Sequence, residues 1–334
     1  MGGSPACYQV AAVGDRHDDR YPLDRPATLR GQPWRSIMSG RMGERAAGTK
    51  RSRMRTLLAA MLLLCVGATA FADDGVAPAI GGRLYQVRGA QLYVEMTGRG
   101  TPILFLHGGL SDFDATFAAQ VAYFAAFRTV IGVDQRGNGH SPDTDQAFSY
   151  RQMEEDTAAL LQQLKLGRVD IIGHSDGANV ALLLARYHPE LVRRLVISGA
   201  NARGAYNGWL AYARFRLSSD ESFAASVSPQ ERALYVRASP DGAQHWQAVV
   251  AKTKALWATR VVISAADLAA IELPVLVMAG DHDVIPIEET VSIYRQLPHA
   301  QLCILPGSGH ATMQDQPEQF NRLAREFLED TRIP

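Results

Sequence analysis

Apolar and polar positions change their period repeatedly along this chain of 334 residues. From about Leu84, short apolar runs alternate with longer segments whose apolar residues recur every three or four positions. LYQV and QLYVEMTG predict two strands joined by a turn at Arg88 to Ala90, and PILFLHGG predicts a third, buried on both faces. Further strands are predicted in TVIGVD (Thr129 to Asp134), VDIIGH (Val169 to His174), RLVISG (Arg194 to Gly199), PVLVMAGD (Pro274 to Asp281) and AQLCILPG (Ala300 to Gly307). Helical periodicity covers Arg151 to Leu164, Gly177 to Tyr187, Ile287 to Leu297 and Pro317 to Leu328. Continuous apolar strands separated by helices predict an α/β class: a mostly parallel central sheet flanked by helices on both faces.

One region breaks the alternation. From about Asn201 to Leu268 no buried strand is evident, while GWLAYARF, SPQERALYVR and AQHWQAVVAKTKALWATR have helical patterns. A small helical cap at about 201–268, inserted between two strands, accounts for this. Its aromatics (Trp209, Tyr212, Phe215, Phe223, Tyr235, Trp246 and Trp257) have two readings, packing as cap core or lining an apolar pocket. No internal repeat or long linker interrupts residues 73–334.

Residues 1–72 have a different character. KRSRMR (Lys50 to Arg55) precedes the 15-residue apolar run Leu57 to Phe71, which ends in Ala70-Phe71-Ala72. This order is that of a secretory signal peptide, and the run is shorter than the roughly 18 residues of a spanning helix. The expectation is cleavage near Ala72, export, and no stable membrane anchor afterwards; the alternatives are an uncleaved anchor and a lipoprotein at Cys65. The first 40 residues lack apolar period and are expected to be disordered or untranslated, with Met42 or Met54 as other starts. Only Cys303 would remain in the mature chain, which excludes an internal disulfide.

Composition narrows the partners. Apolar residues make up 47% of the chain, and 34 basic residues balance 34 acidic ones. A large core is possible, and no global positive field exists to gather nucleic acid. The nine histidines are scattered without ligand spacing, and neither a phosphate loop nor a G-x-G-x-x-G follows the first strand. Neither a metal nor a nucleotide cofactor is implied, and the expected partner is a small-molecule substrate.

The candidate chemistry sits in Gly173-His174-Ser175-Asp176-Gly177, a G-x-S-x-G sequence between a buried strand and a helix. A sharp strand-to-helix reversal brings neighbouring chain so close that only glycine fits beside the exposed serine. The alternative role for Ser175 is a helix N-cap. A serine hydroxyl needs a base and a group to orient it. His310, after the last strand in LPGSGHATMQ, is the candidate base, and Asp281 and Asp283 in MAGDHDVIP are candidate orienting acids at the same sheet edge. His188, His282 and His299 are expected on the surface or in loops; His107, Arg136, Gly137 and His140 are expected to be structural.

HGG (107–109), DQRGNGHS (134–141), GHSDG (173–177), and GDHDVIP followed by GSGH stand in one order. From about Leu84 to Ile333 the chain resembles an α/β-hydrolase fold serine hydrolase. The resemblance implies a Ser175, Asp283, His310 triad, since the family's acid lies in G-x-x-D-x-x-P, matched by Gly280, Asp283 and Pro286. Asp281 then becomes a turn residue or a support behind the triad. It also implies an oxyanion hole from the backbone N–H groups of Gly109 and Asp176. A serine nucleophile argues against the related dehalogenases and epoxide hydrolases. SDG is similar to the same element in hydrolases of amino-acid esters, although those usually carry glycine where Ala178 stands here.

The reading that follows is a small-molecule carboxylic-ester hydrolase working through an acyl-enzyme. The alternatives are the same triad acting on an amide, lactone or carbon–carbon bond or as a cofactor-free perhydrolase, and a ligand-binding protein on a hydrolase scaffold.

Overall fold

A two-residue turn opens the fold. In the computed structural model, which describes residues 80–203, 213, 215–258 and 262–332, Arg88 and Gly89 both take positive φ (46° and 80°). That backbone twist suits a tight hairpin, and it pairs β1 (Ile80–Val87) antiparallel with β2 (Ala90–Thr97). The expected signal peptide, the start-site alternatives and the cap residues Trp209 and Tyr212 lie outside the described residues.

Six further strands follow: β3 (Pro102–Leu106), β4 (Thr129–Asp134), β5 (Val169–His174), β6 (Val192–Ser198), β7 (Val275–Gly280) and β8 (Ala300–Leu305). The eight strands form one sheet in the order β1-β2-β4-β3-β5-β6-β7-β8. Strand β2 pairs antiparallel with β4, and every pairing from β4 through β8 is parallel. This is the α/β-hydrolase fold.

The strands contribute alternately to two cores. Leu104, Leu106, Ile131, Val133, Ile171, Leu195, Ile197, Val275 and Val277 face one side; Ile103, Phe105, Val130, Ile172, Val196, Leu276 and Met278 face the other. Both faces being apolar explains why the strands read as unbroken hydrophobic runs. Helices α2 (Tyr150–Leu164) and α3 (Asp176–Tyr187) cover the first face. Helix α1 (Phe113–Phe124) covers the second through Phe113, Phe117 and Phe124. Between β6 and β7 come α4 (Asp220–Ser226), α5 (Pro229–Ala238), α6 (Trp246–Trp257) and α7 (Ala265–Ala269). Ser228 and Glu231 form a reciprocal capping box that starts α5. The chain ends through α8 (Ile287–Gln296), α9 (Thr312–Asp315) and α10 (Pro317–Glu329).

Glu154 of α2 is an internal source of pH dependence. Its side chain is fully covered, 2.6 Å from Arg151 and 3.3 Å from His188, and burial pushes its carboxyl up to about 7. Between the ordinary carboxylate range and pH 7 the folded protein therefore holds a proton that the unfolded chain has released, and stability falls as pH rises through that window. Glu154→Gln is expected to flatten this slope, by up to about 3 kcal/mol across the window. Thermal melts of both proteins from pH 5 to 8 check it; parallel curves would exclude Glu154 as the source.

Candidate active site

Ser175 occupies the turn between β5 and α3 at φ 53° and ψ −116°. A non-glycine residue in this region costs on the order of 1–3 kcal/mol, so its surroundings must hold it there. The glycines two positions away on either side show how. A Cβ on Gly173 would lie 2.6 Å from the Gly177 carbonyl oxygen and 2.8 Å from the Ala178 Cα. A Cβ on Gly177 would lie 2.0 Å from the Leu106 carbonyl oxygen. These obstacles are all backbone, so no side-chain rotation relieves them.

The turn carries Ser175 to the carboxyl edge of the sheet, where the loops after β7 and β8 converge. Ser175 Oγ is 3.0 Å from His310 Nε2, and His310 Nδ1 is 2.7 Å from Asp283 Oδ1. Asp283 is held in turn by the Ile285 N–H, which donates to the same oxygen at 2.8 Å. With Asp283 accepting from Nδ1–H, the other ring nitrogen faces the serine hydroxyl as an acceptor. The geometry makes Asp283, rather than Asp281, the partner of His310. Asp281 Oδ1 instead accepts from the N–H groups of Gly307 (2.7 Å) and Ser308 (3.3 Å), tying the β7 loop to the histidine loop.

A cavity of about 160 Å³ opens beside these residues, lined among others by Ser175, His310, Asp176, Tyr150, Asn179 and Trp257. The Asp176 carboxyl projects into its wall. Tyr150 donates its hydroxyl to Oδ1 at 2.7 Å, and Trp257 donates its indole N–H to Oδ2 at 2.8 Å. Burial raises its pKa, and the two donors partly offset that. The backbone N–H of Asp176 lies in the first turn of α3, where helical N–H groups have no partner within the helix. The loop through Gly109 faces the same point: a Cβ on Gly108 would lie 3.2 Å from that of Ser175. A Cβ on Gly109 would meet Asp176 Oδ2 at 2.4 Å and the Trp257 ring at 2.8 Å, so this loop packs closely against both. The backbone N–H groups of Gly109 and Asp176 are the candidates to receive negative charge at a carbonyl under attack. Among the described residues no cluster of three His, Cys, Asp or Glu side chains could hold a metal, and no helix is long and apolar enough to cross a membrane.

The sequence profile of the alpha/beta hydrolase family matches residues 103–323, from β3 into α10. The chain belongs to the α/β-hydrolase family. Human serine hydrolase BPHL is 27% identical over 249 residues, spanning 73% of this chain and 84% of its own. The 2-hydroxymuconate semialdehyde hydrolase of Pseudomonas putida is 28% identical over 263 residues, 74% of this chain and 94% of its own. Among solved structures, a thermophilic esterase from Thermogutta terrifontis is 26% identical with a TM-score of 0.59, covering 75% of this chain and 98% of the esterase.

Several side chains brace this hydrolase's site. His107 Nε2 accepts the Gln135 N–H at 2.9 Å, which leaves Nδ1 to donate to the Gly108 carbonyl at 2.6 Å, so its ring pins the loop carrying Gly109. Arg136 is buried and bonded to both Asp156 oxygens, and His140 is 3.0 Å from Asp134; neither lines the cavity at Ser175. The cap aromatics divide. Tyr235 and Trp246 are buried against each other, ring centres 5.3 Å apart, whereas Trp257 reaches the cavity.

Four supporting residues have no signal in the sequence pattern. Tyr150, one residue before the predicted helix, is the first residue of α2 and donates its hydroxyl to Asp176. Asp315 Oδ2 accepts the Gly309 N–H at 2.7 Å and steadies the histidine loop. His174 lies with its ring centre 4.8 Å from that of His310, and burial holds it well below the ordinary histidine range, so a neutral ring backs the site. Gly199, at φ 65°, ends the turn after β6, and a Cβ there would lie 2.7 Å from the His310 ring. Gly199→Ala is expected to displace that ring and lower kcat about 100-fold, since misplacement by about 1 Å costs this much. Steady-state kinetics check it; unchanged kcat in a folded variant would show that the contact is slack.

Proposed function

We propose that the protein hydrolyses a small-molecule carboxylic ester through an acyl-enzyme on Ser175. The observation that carries this reading is the unbroken hydrogen-bonded chain from Ser175 through His310 to Asp283. Ser175 Oγ attacks the ester carbonyl while His310 Nε2 takes its proton, and Asp283 stabilises the resulting imidazolium. The carbonyl oxygen becomes an oxyanion between the N–H groups of Gly109 and Asp176. Collapse of this intermediate breaks the ester C–O bond, and His310 returns the proton to the leaving alcohol. Water, deprotonated by the same histidine, then attacks the acyl-serine; the acid leaves and Ser175 is restored.

Rapid mixing with p-nitrophenyl acetate tests the reading. A burst of p-nitrophenol stoichiometric with enzyme, followed by slower turnover, is the expected result. Its absence together with no turnover of any ester in a panel would overturn it. The second reading is the same residues acting on a carbon–carbon bond; the similar 2-hydroxymuconate semialdehyde hydrolase is named for a semialdehyde substrate rather than an ester. Release of acid from such a substrate at a higher kcat/KM than from esters would select it.

The Asp176 carboxyl gives the site a preference. Its hydrogen-bond partners are neutral and no described residue forms an ion pair with it, so whenever it is ionised it adds negative charge to the cavity wall. Anionic substrates are disfavoured there, and cationic ones such as amino-acid esters are favoured over neutral ones of equal size. Asp176→Asn keeps the backbone N–H and the side-chain size while removing the charge. KM for an amino-acid ester is expected to rise about 10- to 100-fold, with kcat for p-nitrophenyl acetate within a few fold. An equal change for both substrates would refute the charge preference without touching the acyl-enzyme chemistry.

A further inference from the structure

A second cavity, of about 370 Å³, lies at the opposite edge of the sheet from Ser175. It forms where the parallel strands begin. Thr101 and Arg128 directly precede β3 and β4, Arg193 and Arg194 stand in the first turn of chain of β6, and Arg325, Leu328 and Glu329 belong to the end of α10. Asp170, beneath this cavity, is five residues before Ser175 on an extended strand, a separation of about 17 Å. The two cavities therefore share no residue and sit on opposite sides of the core.

The charges around it do not balance. Among the described residues, four guanidinium groups and one carboxylate, that of Glu329, line the cavity, while Asp330, paired with Arg332, also acts on Arg194. Asp170 is fully buried and accepts from both Arg128 and Arg193, so one carboxylate serves two cations. Glu329 is taken by Arg325 at 2.9 Å. Arg194 donates to the carbonyls of Phe327 and Leu328, both at 3.0 Å, and so closes the carboxyl end of α10, where partial negative charge accumulates. Among the described residues, the arginines around the cavity still outnumber the carboxylates that act on them.

Two further observations concern the inner part of this cluster. Arg193 Nε is buried and makes no hydrogen bond within the protein, a donor that burial makes costly to leave unmade. Burial and then the like charge of Arg193 hold Arg194 below the ordinary arginine range, while Asp170 and Asp330 act in the opposite direction. A dianion with several acceptor oxygens would satisfy both conditions at once: bidentate pairing suits guanidinium groups, and its charge would cancel the repulsion. Phe127, with the Arg325 guanidinium stacked 4.3 Å from its ring centre, and Leu328 add an apolar wall for an organic part of the ligand.

We propose that this basal cleft is a binding site for a small phosphate-type dianion, either free or esterified to a small organic group, separate from the site at Ser175. Arg193 and Arg325 form its accessible arms, and Arg194 and Arg128 its fixed floor.

Thermal melts of the full chain in inorganic phosphate, with chloride at matched ionic strength as control, test it. At tenfold over Kd, phosphate is expected to raise Tm by about 3 to 5 °C beyond chloride. Titration calorimetry of Arg193→Gln and Arg325→Gln should each show phosphate binding weakened at least about 10-fold. The exposed Arg325 serves if Arg193→Gln fails to fold. Ser175→Ala must keep the full shift, because a shift lost there would place the anion in the active-site cavity and overturn the proposal. A response to phosphate no larger than to chloride would overturn it too, as would unaltered affinity in both arginine variants. Pelleting with phosphatidylglycerol vesicles without any shift from free phosphate would replace the small dianion with a lipid surface.

Discussion

Ser175→Ala is expected to lower kcat for ester hydrolysis by on the order of 10⁴- to 10⁶-fold, and His310→Ala by about as much. The reason is that the two act as one device. The serine hydroxyl is a weak nucleophile until a base 3.0 Å away removes its proton, and the histidine has no substrate bond to break without the serine. The double variant should therefore be scarcely slower than either single one. What remains in all three is the contribution of binding and of the backbone donors at Gly109 and Asp176. The folded state should survive, since Ser175→Ala removes one oxygen and relieves none of the backbone contacts that force φ to 53°. A fluorophosphonate probe followed by peptide mass spectrometry gives the direct reading. Label on any residue other than Ser175, or ester turnover persisting in Ser175→Ala, would refute the proposed mechanism.

Asp283→Asn should cost about 10⁴-fold in kcat, whereas Asp281→Asn should cost less than about tenfold. Two carboxylates separated by one residue are thus expected to differ by three orders of magnitude, and the reason is what each one accepts. Asp283 Oδ1 receives the His310 Nδ1–H at 2.7 Å; an amide that turned its NH₂ toward the ring would favour the tautomer with its proton on Nε2, facing Ser175, where it cannot act as base. Asp281 accepts the backbone N–H groups of Gly307 and Ser308, with the His282 ring 3.8 Å away, and an asparagine carbonyl can still accept both N–H groups. The comparison is made on kcat and on melting temperature together. A large loss of turnover confined to Asp281→Asn would reverse the two roles.

Much of the fold is written in local pattern. The runs TVIGVD and VDIIGH coincide with β4 and β5 to the residue, because strands buried on both faces are mostly apolar; Asp134, Asp170 and His174 are buried exceptions. Helix α1 is less legible. FDATFAAQVAYF has no clear polar face, and Phe117 breaks the helical backbone at φ −122° and ψ 17°, which disturbs the periodicity by which a helix is recognised. The order of strands in the sheet, with β4 between β2 and β3, has no local signal either.

The candidate site divides in the same way. Ser175 and its flanking glycines are legible because a strand that turns sharply into a helix imposes steric demands within five consecutive residues, and those demands select residue types. Sequence order and loop position likewise pointed to His310 and narrowed the acid to two aspartates. Between those two the family resemblance favoured Asp283, and the structure has it 2.7 Å from His310; only the tertiary structure placed Tyr150 and Trp257 on Asp176, Gly199 under His310, and four arginines around one basal cavity. These contacts join residues from 26 to over 130 positions apart. Local patterning reports which face of an element is buried; which side chains then meet across that burial depends on how strands are ordered and how loops close, and that is settled by packing of the whole chain.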